Sequence, residues 1–217
     1  NINGVFYSRR TNSEGVVRLN INLLPNSYIL TVTNPITGEK TSINITVLSR
    51  LVENNDLVKY YRNASKYSVK VLDEKGFPLA GAIVRFNING VFYNRTTDSN
   101  GVASLAINLL PGDYIITAEY QGYKVANNIT VLSVIKADDI VMRYRDGTKF
   151  MATVLDGEGN TYPNQSVTFN INGVLYTRTT NENGVASLNI KLQSGKYIIT
   201  TSYKGLSVAN TIEVNPW

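Results

Sequence analysis

The heptapeptide Asn-Ile-Asn-Gly-Val-Phe-Tyr begins at Asn1 and again at Asn87, and Asn-Ile-Asn-Gly-Val-Leu-Tyr begins at Asn170. Each copy opens the same longer pattern: a turn ending in glycine (Gly15, Gly101, Gly184), a valine, alternating apolar residues, then a Tyr-Ile segment at Tyr28, Tyr114 and Tyr197. The copies start 86 and 83 residues apart. Solenoid repeats run ~20–50 residues, so this period is that of a small domain. The chain reads as a tandem array of one module: a partial copy over 1–49, then full copies over 50–133 and 134–217. Near-copies in series build length or valency more readily than chemistry.

The second copy shows how a module is made. Tyr67, Val69 and Val71 alternate with Ser68 and Lys70, and Val84, Phe86 and Ile88 alternate in the same way. A period of two marks half-buried strands. Asn89-Gly90 between alternating runs signals a tight hairpin, whose two central residues need positive φ. Further apolar faces follow at Ala103, Leu105, Ile107 and Leu109, at Tyr114, Ile116, Ala118 and Tyr120, and at Val125, Ile129 and Val131. An earlier strand spans Asp56–Tyr61, matched by Asp139–Tyr144. About seven short strands with closely spaced turn signals predict an all-β fold of tandem Ig-like antiparallel β-sandwich modules.

The first copy begins at its hairpin. Strands are expected at Val5–Thr11, Val16–Leu24, Tyr28–Thr33 and Lys40–Leu48, with Leu19, Ile21, Leu23, Leu30 and Val32 lacking part of an opposing sheet. Residues 1–49 are therefore expected to take strand complementation or an oligomer contact. The joints, at Leu48-Ser49 and Leu132-Ser133, hold no Gly/Pro/Ser-rich linker, which favours a stiff rod.

Composition excludes some chemistry. Histidine and cysteine are absent, which removes the usual nucleophile–base pairs, imidazole acid–base work and Cys/His zinc sites. No motif calls for a cofactor, and the reading is of a non-enzyme. The net charge of +5 is scattered, with no run of five basic residues, so solvated faces are expected rather than a nucleic-acid surface. No apolar run is long enough for a membrane span, and no leader precedes the first repeat, so the chain reads as a mature or excised piece.

The segment TTDSNGVASLAINLLPGDYIITAEYQGY, from Thr96 to Tyr123, and its copies resemble bacterial Ig-like repeats of the invasin and intimin type. They are more similar still to repeats of adhesin-like surface proteins of methanogenic archaea. The resemblance covers essentially the whole chain. It implies a secreted, anchored, extracellular parent protein at the archaeal cell wall, in which such repeats serve as a stalk in cell adhesion. The partners it implies are the surfaces of other cells, or cell-wall polysaccharide or protein. The alternative is a module that itself binds carbohydrate or cell-wall polymer.

Some surface Ig-like domains join Lys to Asn through an isopeptide bond assisted by a carboxylic acid. The matching positions here are Lys66, Asn127 and Asp56, and Lys149, Asn210 and Asp139. That chemistry needs a buried, neutral amine beside the amide. Strand parity puts Lys66 on the face opposite Tyr67, so a surface lysine is the competing reading. Asn-x-Ser/Thr acceptors for glycans stand at Asn44, Asn63, Asn94, Asn128 and Asn164. Asp73/Glu74 and Asp156/Glu158 offer too few oxygens for calcium and fit turn chemistry better. Tyr60-Tyr61 and Tyr120 with Tyr123 could form a contact surface, against which stands the general preference of tyrosine for strands.

Overall fold

The computed structural model describes residues 1–217 and is built entirely of strands and turns. The first repeat holds β1 (Asn26–Thr33) and β2 (Lys40–Val47). The second holds β3 (Leu51–Val52), β4 (Leu57–Tyr60), β5 (Lys66–Val71), β6 (Ile83–Ile88), β7 (Val91–Thr96), β8 (Val102–Ala106), β9 (Gly112–Tyr120) and β10 (Tyr123–Leu132). The third repeats that series as β11 (Ile135–Ala137), β12 (Ile140–Arg143), β13 (Lys149–Val154), β14 (Ser166–Ile171), β15 (Val174–Thr179), β16 (Val185–Asn189), β17 (Gly195–Tyr203) and β18 (Leu206–Asn215). No helix is long and apolar enough to cross a membrane.

Contacts group the chain into two compact units. One gathers Asn1–Asn54, Ser68–Ser104 and Thr117–Ala126; the other gathers Asn55–Tyr67, Leu105–Ile116 and Asn127–Trp217. The division runs through the second repeat.

The third repeat lies wholly in the second unit and is an Ig-like sandwich. Its sheets are β12-β18-β17-β14-β15 and β11-β13-β16. Phe150, Ala152, Val154, Phe169, Leu188, Ile199 and Ile212 fill the core between them. Phe150 and Phe169 meet edge to face, centroids 5.6 Å apart, the geometry their ring quadrupoles favour. The second repeat carries the same two strand orders, β4-β10-β9-β6-β7 and β3-β5-β8. Its expected inward residues, Tyr67, Val69, Val71, Val84, Phe86, Ile116 and Ile129 among them, are buried.

Two features refine the pattern read from sequence. The first strand of each full repeat is broken in two, giving eight strands. Its second part runs parallel to the last strand: Ile140 faces Ile212 and Leu57 faces Ile129. The hairpin at Asn89-Gly90 takes φ values of 53° and 75°, and Ile88 closes on Val91, as a two-residue primed turn requires.

The first repeat departs from expectation. Tyr28–Thr33 and Lys40–Leu48 form the β1–β2 hairpin nearly as read. Val5–Thr11 and Val16–Leu24 form no strand. Their counterparts β7 and β8 pair with β6 and β5, but no segment of the chain offers these two a ladder. Only isolated bridges of Ile2 to Val5 and to Leu30 remain. Val5, Phe6 and Tyr7 stay exposed, Phe6 at 80%.

Candidate functional site

The break in the first strand places Asp56 and Asp139. Each stands just before the parallel segment and fastens it to the last strand. Asp139 Oδ1 accepts from the Thr211 amide at 2.8 Å and from Asn210 Nδ2 at 3.2 Å. Asp56 Oδ1 accepts from the Asn128 amide at 2.8 Å and Asn127 Nδ2 at 3.1 Å. Donated backbone amides, then the side-chain amide, hold both carboxyls below their ordinary ionisation range. Such bonds favour the charged form.

The two asparagines then diverge. In the second repeat the Tyr67 hydroxyl donates to Asn127 Oδ1 at 2.7 Å. Burial first, and the charge of Asp56 second, push that phenol up to about 12. The third repeat has Phe150 at the matching position, and Asn210 Oδ1 is buried with no hydrogen-bond partner. The amide cannot simply be turned over. Its nitrogen faces two acceptors, Ala137 O at 3.1 Å and Asp139 Oδ1, and a carboxylate accepts only.

The structure thus brings Asp56 to Asn127 and Asp139 to Asn210, but not the lysines. Lys66 and Lys149 are exposed, one residue before the buried Tyr67 and Phe150. The lysine that is buried is Lys59, 4% exposed, its Nζ donating to Ile107 O at 2.8 Å and Ser65 O at 3.1 Å. Burial lowers its pKa. Lys59 faces Val131, four residues beyond Asn127 along β10, or about 13 Å at ~3.3 Å per residue. It is too far to attack that amide. The clue in the sequence was its phase: Lys59 falls in register with Leu57, and the third repeat has Met142 at that position.

The other candidates resolve into turns and joints. Asp73 Oδ1 accepts from the Lys75 and Phe77 amides, and Asp156 Oδ1 from those of Glu158 and Asn160. Asp98 and Asn181 bond the same two positions downstream. Four glycan acceptors, Asn44, Asn94, Asn128 and Asn164, are exposed. Asn63 is tied up: its Nδ2 donates to Gly157 O at 2.7 Å and Glu158 Oε1 at 3.0 Å, and its Oδ1 accepts from Ser65. A glycan on that nitrogen would leave it one hydrogen for these two acceptors, so at least one bond would be lost.

Those bonds belong to a joint inside the second unit. The Tyr61 hydroxyl donates to Lys204 O at 3.1 Å, and Tyr60 and Tyr61 pack on the apolar core of the third repeat. Two glycines make room. A Cβ on Gly157 would stand 3.3 Å from the Asn63 Cα, and one on Gly159 would fall within the Tyr60 ring. The connecting serines are alike at both joints: Ser49 Oγ donates to Leu51 O, and Ser133 Oγ donates to Ile135 O. Of the tyrosines flagged in the sequence, Tyr60 and Tyr61 are therefore joint residues. Tyr120 is 8% exposed and carries Arg50 over its ring at 5.3 Å.

No family model matches the chain. Among solved structures it is similar to the I9–I11 tandem of titin, at 16% identity and a TM-score of 0.41, over 89% of this chain and 74% of that one. It is also similar to invasin, a bacterial integrin-binding protein, at 20% identity and a TM-score of 0.34. That match spans 77% of this chain and 38% of invasin. A third is InvD of Yersinia pseudotuberculosis, at 20% identity and a TM-score of 0.32, over 75% of this chain and 57% of that one.

Proposed function

We propose that this chain is a non-catalytic repeat region of a secreted, anchored adhesin-like protein, a stalk that holds an adhesive part away from the cell. The carrying observation is the joining of near-copies through short, hydrogen-bonded connections. The same serine turn recurs at both joints, and the Tyr60–Asn63 loop is fastened to the following repeat. In this reading the modules are 1–49, 50–133 and 134–217. Electron microscopy of arrays with increasing copy number tests it. Particle length should grow by a fixed increment per copy, and a compact particle at every copy number refutes it.

A second proposal concerns residues 1–49. Val5, Phe6, Val16, Val17 and Leu24 are each more than 40% exposed, so this stretch suits pairing with outside strands or a second molecule. Mass analysis across a concentration series tests it; a monomer at all concentrations with Val16–Leu24 protected from hydrogen exchange counts against it.

A further inference from the structure

An open groove runs along the outer side of the third repeat, formed by two adjoining cavities of about 530 and 280 Å³ that share Asn189, Ile190 and Lys191. Tyr144 and Arg145 line one end; Tyr176 and Arg178 line the other. Lys191 stands between, so three cations border one channel. No aspartate or glutamate lines either part.

The two arginines are held against rings, while Lys191 is exposed. Arg145 lies over the Tyr144 ring at 5.0 Å and Arg178 over the Tyr176 ring at 6.0 Å. Arg145 has φ of 61°, an uncommon conformation for a residue with a side chain. Asp146 braces its loop, accepting from the Arg143 and Thr148 amides at 2.8 Å. That carboxylate is thereby occupied. Gln193 Nε2 donates to the Tyr144 hydroxyl at 3.4 Å, which adds neutral donors and acceptors beside the charges. A site whose charges are already positioned loses less entropy on binding.

The two Tyr/Arg pairs recur in the second repeat as Tyr61–Arg62 and Tyr93–Arg95, so what sets the third repeat apart is the stretch between them. Asn189, Lys191 and Gln193 correspond to Ala106, Asn108 and Leu110 in the second repeat, and the alternate, inward residues Ile190 and Leu192 keep the identity of Ile107 and Leu109. The first repeat has Asn20, Asn22 and Leu24 there. The core face is unchanged, while lysine and glutamine appear on the outer face of the third repeat alone.

We propose that this groove binds a linear acidic polysaccharide. Guanidinium forks take carboxylate or sulfate in two parallel bonds, while the amides and phenols match sugar hydroxyls. Nucleic acid fits less well, because single strands need open aromatic faces for their bases and each tyrosine here has its own arginine over the ring. This is separate from the stalk reading, since a spacer needs no such groove.

The test uses the full chain and fluorescence anisotropy with labelled oligogalacturonate, chondroitin sulfate oligosaccharide, a neutral glucan oligosaccharide and oligo(dT). Binding to at least one acidic glycan should be saturable, weaken with salt, and exceed neutral glucan and oligo(dT) by tenfold or more. The carboxylate and sulfate probes distinguish which acid is preferred. Lys191→Asn takes the residue of the second repeat, so it should melt as the parent does yet bind the preferred glycan at least fivefold more weakly. Lys191→Asn with Arg178→Ala should lose tenfold or more, and Arg95→Ala, at the matching position of the second repeat, should change binding less than twofold. Overturning results are no saturable acidic-glycan binding, equal binding by Lys191→Asn, or oligo(dT) or neutral glucan bound as tightly.

Discussion

Replacing Phe150 with tyrosine should stabilise the third repeat, although it puts a hydroxyl into a core position that is 0% exposed. The second repeat shows where that hydroxyl goes: Tyr67, at the matching site, donates to Asn127 Oδ1 at 2.7 Å. In the third repeat the matching acceptor, Asn210 Oδ1, is buried and unpartnered. A buried acceptor without a bond costs ~1–3 kcal/mol, and a neutral hydrogen bond contributes ~0.5–1.5 kcal/mol net. The expected gain for Phe150→Tyr is therefore about 1–2 kcal/mol. Tyr67→Phe should cost the second repeat a similar amount. A chain of several modules has no single unfolding free energy, so the assay must be local. Hydrogen exchange followed by mass spectrometry, on peptides from β17 and β18 for one variant and from β9 and β10 for the other, reads each repeat separately. Protection should rise ~5–30-fold in the third repeat for Phe150→Tyr, by the ~1.4 kcal/mol per tenfold conversion. If Phe150→Tyr lowers protection there, or Tyr67→Phe leaves the second repeat unchanged, the reasoning is wrong.

Thr201 is 0% exposed, its Oγ1 is unpartnered, and the second repeat has Ala118 at that position; Thr201→Val should stabilise the third repeat by about 1 kcal/mol by removing the hydroxyl, measured by hydrogen exchange on peptides from β17 and β18. Gly157→Ala should loosen the joint without straining its own backbone, since only Gly159 of the two has positive φ; faster limited proteolysis in Tyr60–Ser65 checks it, and an unchanged pattern opposes it. Asp56 and Asp139 ionise below the ordinary 3.8 when folded, so their contribution is complete above that value and drains away as pH falls through it. Melting from about pH 5 to 2.5 should fall less steeply for Asp139→Asn than for the parent. The Tyr67 phenol, raised from 10.0 to about 12, contributes stability that is whole below pH 10 and lost towards 12; Tyr67→Phe should flatten that alkaline loss.

Most strands were legible because each carries its own local signals. Asn89-Gly90 fixes a hairpin, and the alternation through Phe86 or Leu188 fixes which face turns inward. What could not be read lies in pairings between distant segments. The sequence places Asp139 at the head of a strand and groups it with Asn210, but its bond to the Thr211 amide follows only from the parallel contact of Ile140 with Ile212. Val16–Leu24 alternates as well as any strand, yet alternation supplies a face and not a ladder partner. Lysine at 59 reads as a surface residue by type, and only its phase places it inside. The glycines at 157 and 159 read as turn residues; that they also admit Tyr60 and Asn63 depends on a loop nearly a hundred residues earlier. The groove was missed for a related reason: Arg145, Lys191 and Arg178 are scattered along the chain, and no local run of charge announces them.

The fit of Asn63 against Gly157 bears on how such an array can change over generations. Position 157 corresponds to Glu74 in the second repeat, and a side chain at that place would press on the Asn63 backbone. Tracts as alike as those at Asn87 and Asn170 invite unequal crossing-over. A product that set a unit like the second one directly after another would bring a glutamate against the incoming loop. Recombination would therefore lengthen or shorten the protein most readily in blocks that keep each Tyr-Tyr-Arg-Asn loop with the glycine-bearing successor that receives it.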